Sequence, residues 1–317
     1  MSEKFLPTPK TLQNNPKRIL GGHRLCPGCG IGIILKQVLG SIDNPLVISH
    51  ATGCGEICFG AFPFSSFQDN WIHSLFENAA SVISGVETMW QKLKKEKKLS
   101  KEQKKIKFVA IGGDGASYDI GLQWISGALE RGHDFVYICT DNAGYMNTGF
   151  QRSSASPEFS ATSTTPVGKE QAGKLQTRKN FTDICVAHQI PFVAQCSPSH
   201  LSDLMQKSKK AFNTEGPAVL NIFSPCPTNW KIPANRGIEF AKLAVETKFW
   251  PLLEFENGKL KITEKSNKKP IEDFLTGQKR FSHLFKPKKN TEAIQEIQKN
   301  IDDNWERLQN REKFKLD

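Results

Sequence analysis

Residues 108–151, FVAIGGDGASYDIGLQWISGALERGHDFVYICTDNAGYMNTGFQ, restrict the fold more than any other stretch of the chain. An apolar run, Phe108 to Ile111, breaks at Gly112-Gly113-Asp114-Gly115. Ile120, Trp124, Ile125, Ala128 and Leu129 then recur at helical spacing, which predicts a helix from about residue 119. A second apolar run, Phe135 to Cys139, ends in Asp141-Asn142. Strand, crossover helix and strand make a βαβ unit, whose handedness sets two parallel strands side by side. Asp114 and Asn142 should therefore both emerge at the carboxyl edge of the sheet, where open α/β sheets take their ligands.

The chemistry at that edge suits a diphosphate held through a metal ion. Glycines on both sides of Asp114 let the backbone approach an anion, and the amides that precede the helix can donate to it. A carboxylate, an amide oxygen and a backbone carbonyl are hard ligands of the kind Mg²⁺ takes beside phosphate oxygens. A single Gly-Asp-Gly is also ordinary turn chemistry. The second turn, Asn142 to Gly149, at the next strand end favours the ligand reading.

The flanking sequence extends the same architecture. Residues 1–20 are polar and aperiodic and read as an extended arm. Ile31 to Leu39 reads as a helix and Leu46 to Ser49 as a strand running into the glycine-rich turn Ala51 to Cys58. His73 to Trp90 reads as a helix of small and apolar residues, packed in the core or against another subunit. Ser153 to Thr177 is a long polar loop, of the kind that is often functional, and is expected to lie along a subunit interface. Phe181 to His188 and Leu201 to Asn213 are predicted helices, and Phe192 to Ala194 and Ala218 to Phe223 predicted strands. Beyond Trp230 the pattern loosens. Residues 250–255 and 259–262 alternate around Asn257-Gly258, a hairpin signal. Thr291 to Lys313 carries Ile294, Ile297, Ile301, Trp305 and Leu308 on one helical stripe. The expectation is an α/β doubly wound, mostly parallel sheet over 21–230, with a C-terminal hairpin and helix in 231–317 packing on that domain or on a partner.

Charge and cysteine usage narrow the function. The chain of 317 residues carries a formal net charge of +11, most of it in the lysine-rich residues 91–107, and the tail after Lys286 is also rich in lysine and arginine. Those lysines lack interleaved aromatics or a reader motif, so a solvated face is expected and nucleic acid is not. No apolar run approaches the ~20 residues of a membrane span. Eight cysteines without a secretory signal point to a reducing cytoplasm and to ligation of a metal or cluster. Two ligand sets compete. Cys26, Cys29, Cys54 and Cys58 have spacing tolerable for structural zinc, which spacing alone slightly favours. Cys26, Cys29, Cys54 and Cys226 suit a 4Fe–4S cube. Cys139, Cys185 and Cys196 sit in apolar runs and are expected in the core.

Gly-Asp-Gly followed about 27 residues on by Asn resembles the thiamine-diphosphate fingerprint. The fuller text, GDGASYDIG with YMNTGFQRS, resembles the β subunit of the 2-oxoacid:ferredoxin oxidoreductases, in particular the pyruvate branch, with the branched-chain 2-oxoacid enzymes close by. AHQIPFVAQ, GPAVLNIFSPCPTNW, ETKFWPLLEFENGK and HRLCPGCG continue the resemblance, roughly over residues 20 to 285. It implies thiamine diphosphate bound through Mg²⁺ on Asp114, the Asn142 side chain and the Gly144 carbonyl. Gly113, Gly115, Ala116, Asn147 and Thr148 would contact the diphosphate, the last two being the candidate catalytic contacts, and the loop Gly53, Cys54, Gly55, Glu56 would approach the thiazolium. It also turns the cysteine choice to a 4Fe–4S cluster on Cys26, Cys29, Cys54 and Cys226, with Cys58 left over. The reaction implied is oxidative decarboxylation of a 2-oxoacid, with coenzyme A as acyl acceptor and ferredoxin or flavodoxin as electron carrier. An α subunit with the activating carboxylate, and γ and δ ferredoxin-like partners, complete the expected assembly. A non-redox thiamine enzyme half and a zinc-stabilised interaction protein are the alternatives.

Overall fold

Parallel strands buried on both faces need near-continuous apolar sequence, and the centre of this sheet has it. The structure is a computed structural model that describes residues 17–61, 64–265 and 268–314. β3 (Lys107–Gly113), β4 (Val136–Asp141) and β6 (Ala218–Phe223) lie side by side in parallel, β4 and β6 buried along their whole length. The full order is β2-β1-β3-β4-β6-β5-β7-β8, with β1 at Leu46–Ala51, β2 at Asn70–Ser74 and β5 at Phe192–Cys196. The first six are parallel. The hairpin strands β7 (Leu253–Glu256) and β8 (Lys259–Ile262) add antiparallel at the β5 edge.

Alternation along each strand divides the core. Val109, Ile111 and Ile138 face helix α1 (Gly30–Leu39) and the later helix Leu201–Asn213. Phe108, Ala110 and Tyr137 face the other layer, built from α3 (Ala79–Lys95) and α4 (Leu122–Glu130), while Phe59 of α2 (Cys54–Phe59) packs in the first layer. α5 (Phe181–Val186) is capped by Asn180, whose side chain accepts from the Asp183 amide at 3.1 Å. α6 is the helix Leu201–Asn213, and α7 (Pro227–Trp230) starts with proline at its first position. α8 (Gly237–Glu246), α9 (Glu272–Leu275) and α10 (Thr291–Phe314) form a third core with Phe223 and Trp230 at the carboxyl end of β6. Ile294, Ile297, Ile301 and Leu308 of the terminal stripe are buried, and Trp305 is partly so. Each such side chain contributes about 1.5–3 kcal/mol when fully buried, and here they fasten residues 231–314 onto the main sheet.

The structure departs from the sequence reading in three places. His73 lies on β2, not in a helix: Asn70–Ser74 pairs with β1, and α3 begins only at Ala79. Its small residues Ala79, Ala80 and Ile83 pack in the core. The segment after Asp114 is already helical, as one π turn over Gly115–Ile120, ahead of the predicted start. α8, where the pattern loosens, is a full helix whose Phe240, Ala241, Ala244 and Val245 are buried. Residues 1–16 of the expected arm fall outside the described residues. Among the described residues no helix is long and apolar enough to cross a membrane.

Candidate active site

Three strand ends open onto one pocket at the carboxyl edge. β1 delivers Thr52, Gly53 and Cys54; β3 delivers Gly113, Asp114 and Gly115; β4 delivers Asn142, Gly144, Tyr145, Met146, Asn147 and Thr148. Phe76 completes a volume of about 70 Å³. Gly55, Glu56 and Ala116 do not line it. Glu56 is buried and pairs with His73, and a Cβ on Gly55 would stand 2.7 Å from the His50 ring. Gly115 must lack a side chain, because its Cβ would lie 2.4 Å from the Tyr145 ring, whereas a Cβ on Gly113 would meet nothing within 4 Å. Asn147 and Thr148 are exposed at the mouth, and the Thr148 hydroxyl donates to Gln151 Oε1 at 2.5 Å. A larger cavity of about 250 Å³ lies elsewhere, between α10, Arg178 and Trp250. It is lined by Tyr118 and by Lys248 to Pro251 of the quoted motifs but by none of the candidate cofactor or metal residues, so the chemistry follows the smaller one.

Asp114 is the fixed point of this pocket. Its carboxylate is 1 % exposed and accepts from the Gly144 amide at 2.8 Å, the Asn142 amide at 3.3 Å and the Ser153 hydroxyl at 2.5 Å. Burial, and then the neighbouring Asp141, push its pKa up to about 8. One terminal atom of the Asn142 carboxamide lies 2.9 Å from Asp114 Oδ1 and 2.9 Å from the Gly144 carbonyl oxygen. With nitrogen at that place the amide donates to both and closes the metal-free site. With oxygen there, acceptors face acceptors, and only a cation can hold them together. An octahedral ion with oxygens at about 2.0–2.1 Å sets adjacent ligand oxygens about 2.9 Å apart. The donor set of Asp114, Asn142 and Gly144 therefore fits Mg²⁺.

Three supporting residues escaped the motif reading. Ser153, from the long polar segment, is fully buried against Asp114. Asp141 accepts from the Ala143 amide at 3.0 Å and pairs with Arg178. Arg178 also donates to the Ala155 carbonyl at 2.7 Å and the Tyr118 hydroxyl at 2.8 Å, so one guanidinium ties the segment to the turn. The segment is held from within, since the buried Lys174 donates to the carbonyls of Ser154, Ser156 and Thr177 at 3.2, 2.5 and 3.2 Å. Position beside Asn142 was a signal for Asp141; nothing local marked Arg178.

The cysteines gather beside this pocket. Burial pushes the Cys54 thiol up, and Cys226, Cys29, Cys58 and Cys26 add to the effect. Burial raises Cys29 to about 12, again with Cys226, Cys26 and Cys58 contributing. Such mutual repulsion needs the sulfurs to be near neighbours. Cys226 opens α7, and Cys26 and Cys29 form the turn before α1. Gly28 allows that turn, with φ +74° and a Cβ that would lie 2.0 Å from the Ala234 carbonyl oxygen. Among the described residues no three His, Cys, Asp or Glu side chains close to the spacing of a single ion. The thiols of Cys26, Cys29, Cys54, Cys58 and Cys226 act on one another's ionisation, a soft donor set of the kind an iron–sulfur cluster takes. Cys139, Cys185 and Cys196 are buried in the core.

Comparison with known proteins agrees with this geometry. Residues 51–222 match the thiamine pyrophosphate enzyme family, C-terminal TPP binding domain. Pyruvate synthase subunit PorB of Thermotoga maritima is 45 % identical over 294 residues, covering 92 % of this chain and 90 % of that one. Ketoisovalerate oxidoreductase subunit VorB of Pyrococcus furiosus is 42 % identical over 290 residues, covering 90 % and 91 %. The fold is shared with the 2-oxoglutarate:ferredoxin oxidoreductase of Magnetococcus marinus, solved with 2-oxoglutarate, coenzyme A and succinyl-CoA bound, at a TM-score of 0.56 and 21 % identity over 73 % of this chain and 80 % of that one. With the family domain spanning over half the sequence and relatives matched nearly end to end, the chain belongs to the thiamine-diphosphate-binding β subunits of the 2-oxoacid:ferredoxin oxidoreductases, the family of pyruvate synthase subunit PorB.

Proposed function

We propose that this chain is one half of the active site of a pyruvate:ferredoxin oxidoreductase, carrying thiamine diphosphate and a 4Fe–4S cluster. The observation that carries the reading is the double position of Cys54: it lines the cofactor pocket and stands among Cys226, Cys29, Cys58 and Cys26. Asp114, the Asn142 side chain and the Gly144 carbonyl would hold Mg²⁺, and through it the diphosphate. Gly113, Gly115, Asn147 and Thr148 would contact the phosphate oxygens. Bound there, the coenzyme supplies the carbon nucleophile and electron source for decarboxylating a 2-oxoacid.

The protein's own work is placement. Ser153 and the amides of Asn142 and Gly144 orient Asp114. Phe76 and Met146 give the pocket an apolar wall that limits water. Cys54 sets the cluster beside the place where the electrons originate, and a ferredoxin or flavodoxin would carry them away. Coenzyme A would take the acyl group. An α subunit would supply the pyrimidine side of the site and the activating carboxylate, and γ and δ subunits the onward electron path, in the cytoplasm. Relatives named for pyruvate support that substrate. The VorB relative supports a second reading, 2-oxoisovalerate.

The test uses the anaerobically purified complex. Visible absorbance that dithionite bleaches is expected, and stoichiometric zinc without acid-labile sulfide would refute the cluster. Asp114→Ala should abolish thiamine diphosphate binding by calorimetry and leave the cluster spectrum intact; equal loss of both would make Asp114 structural. Activity on pyruvate, 2-oxoisovalerate and 2-oxoglutarate then decides the substrate.

A further inference from the structure

Arg280 carries a charge that the polypeptide leaves unanswered. It sits in the 3-10 turn Lys279–Leu284, 2 % exposed, with Nε donating to Gln278 Oε1 at 2.9 Å. Both terminal nitrogens are buried and make no hydrogen bond to the described residues. The guanidinium lies 4.0 Å from the Trp230 ring centroid and 5.0 Å from that of Phe281. Stacking on aromatics offsets part of the cost of burying a cation, but not the loss of every terminal hydrogen bond. A buried guanidinium stabilised only in part calls for an anionic neighbour.

The surroundings say what it is. Trp230 closes the one-turn helix that opens at Cys226, its amide donating to the Cys226 carbonyl at 3.0 Å. Among acidic groups facing the guanidinium, the Cys226 thiol acts most strongly, ahead of Asp141 and Asp114. Asp141 already has Arg178. Burial lowers Arg280 to about 9, which leaves it charged at neutral pH.

We propose that Arg280 is the counter-charge of the cluster bound through Cys226, a positioning residue for its electrostatics that raises its reduction potential. The inference rests on the reading of Cys26, Cys29, Cys54 and Cys226 as cluster ligands. Reduction adds one electron to the cluster while the four thiolates stay ionised, and no proton moves. A fixed cation beside one thiolate stabilises the reduced form more than the oxidised, and net charge is one of the levers that set iron–sulfur potentials. Arginine suits the place because its planar, permanently charged group stacks on Trp230.

The experiment is a redox titration of the intact anaerobic complex, poised with dithionite and mediators and read by electron paramagnetic resonance. The signal followed is the one absent from Cys226→Ser. Arg280→Met should keep the iron and thiamine diphosphate content. At a poise where the native cluster is half reduced, its reduced-to-oxidised ratio should fall about tenfold, equivalent to about 59 mV for one electron. Arg280→Lys should stay near the native ratio. If Arg280→Met fails to assemble, Arg280→Gln carries the same expectation. A loaded complex whose ratio does not move in the neutral variants, or moves equally in Arg280→Lys, overturns the inference alone. An iron-free native complex overturns the cluster reading and takes the inference with it.

Discussion

Burial raises the Asp114 pKa, so a divalent cation bound as proposed would have to displace a proton from it. Burial dominates the upward shift, Asp141 adds to it, and the Ser153 hydroxyl opposes it. Against an ordinary carboxyl near 3.9, the folded group binds more protons than the unfolded one between about pH 4 and 8. Its contribution to the stability of the unloaded protein is thus complete below about pH 4 and lost as pH rises through the folded value. The loaded site has the opposite dependence, since metal ligands must be deprotonated. With a pKa of about 8, roughly nine-tenths of the carboxyl is protonated at pH 7, and affinity for Mg²⁺–thiamine diphosphate should fall about fiftyfold from pH 8 to pH 6. Ser153→Ala removes a charge-assisted bond worth about 1.5–3 kcal/mol. It should weaken binding about ten- to over a hundredfold at pH 7, and by less as pH rises. Calorimetry on both proteins, in buffers of different ionisation heat, counts the proton directly, and the ratio between them cancels the coenzyme's own ionisation. An affinity ratio independent of pH, with no extra proton released, would refute the reasoning.

Three further outcomes follow from the same contacts. Arg178→Met leaves Asp141 buried without its partner, and breaking such a pair costs about 3–5 kcal/mol, measurable as lost thermal stability of the unloaded protein. Phe274→Ala empties a fully buried site in the third core and should cost about 3–5 kcal/mol by denaturant titration, with the cofactor pocket unchanged. Cys226→Ser should lower iron content in the anaerobic complex and Cys58→Ser should leave it unchanged; equal loss from both would point to a different ligand set.

What could be read from the sequence was what local periodicity encodes. β4 and β6 announced themselves because burial on both faces forces an unbroken apolar run, and α6 was predicted at the residues it occupies. β2 did not, because Asn70–Ser74 is an edge strand whose Asn70 and His73 face outward, leaving no alternation to see. The π turn after Asp114 was equally silent, since a shifted hydrogen-bond register leaves no mark in hydrophobic spacing. Asp114 and Asn142 were legible because glycine-rich turns advertise strand ends. Arg178 was not: its partner Asp141 lies 37 residues away, and the pairing exists only once the polar segment has folded back over the turn.

The buried charges around that turn explain why the chain is built to be completed. Arg178 answers Asp141, burial favours the neutral form of Asp114, and the Arg280 terminal nitrogens have no hydrogen-bond partner among the described residues, so the balance of buried charge here is positive. Under the proposed function, loading would reverse each imbalance: a cation on Asp114 would ionise it, a diphosphate would bring negative charge, and a cluster on Cys226 would bring thiolate charge toward Arg280. The pocket itself encloses only about 70 Å³, against the roughly 300–1,000 Å³ of sites that enclose a whole ligand. It can grip the diphosphate and metal end of a coenzyme but cannot cover the rest. The exposed Asn147 and Thr148 mark where that cover must close, so the completed site belongs to this chain and a partner together.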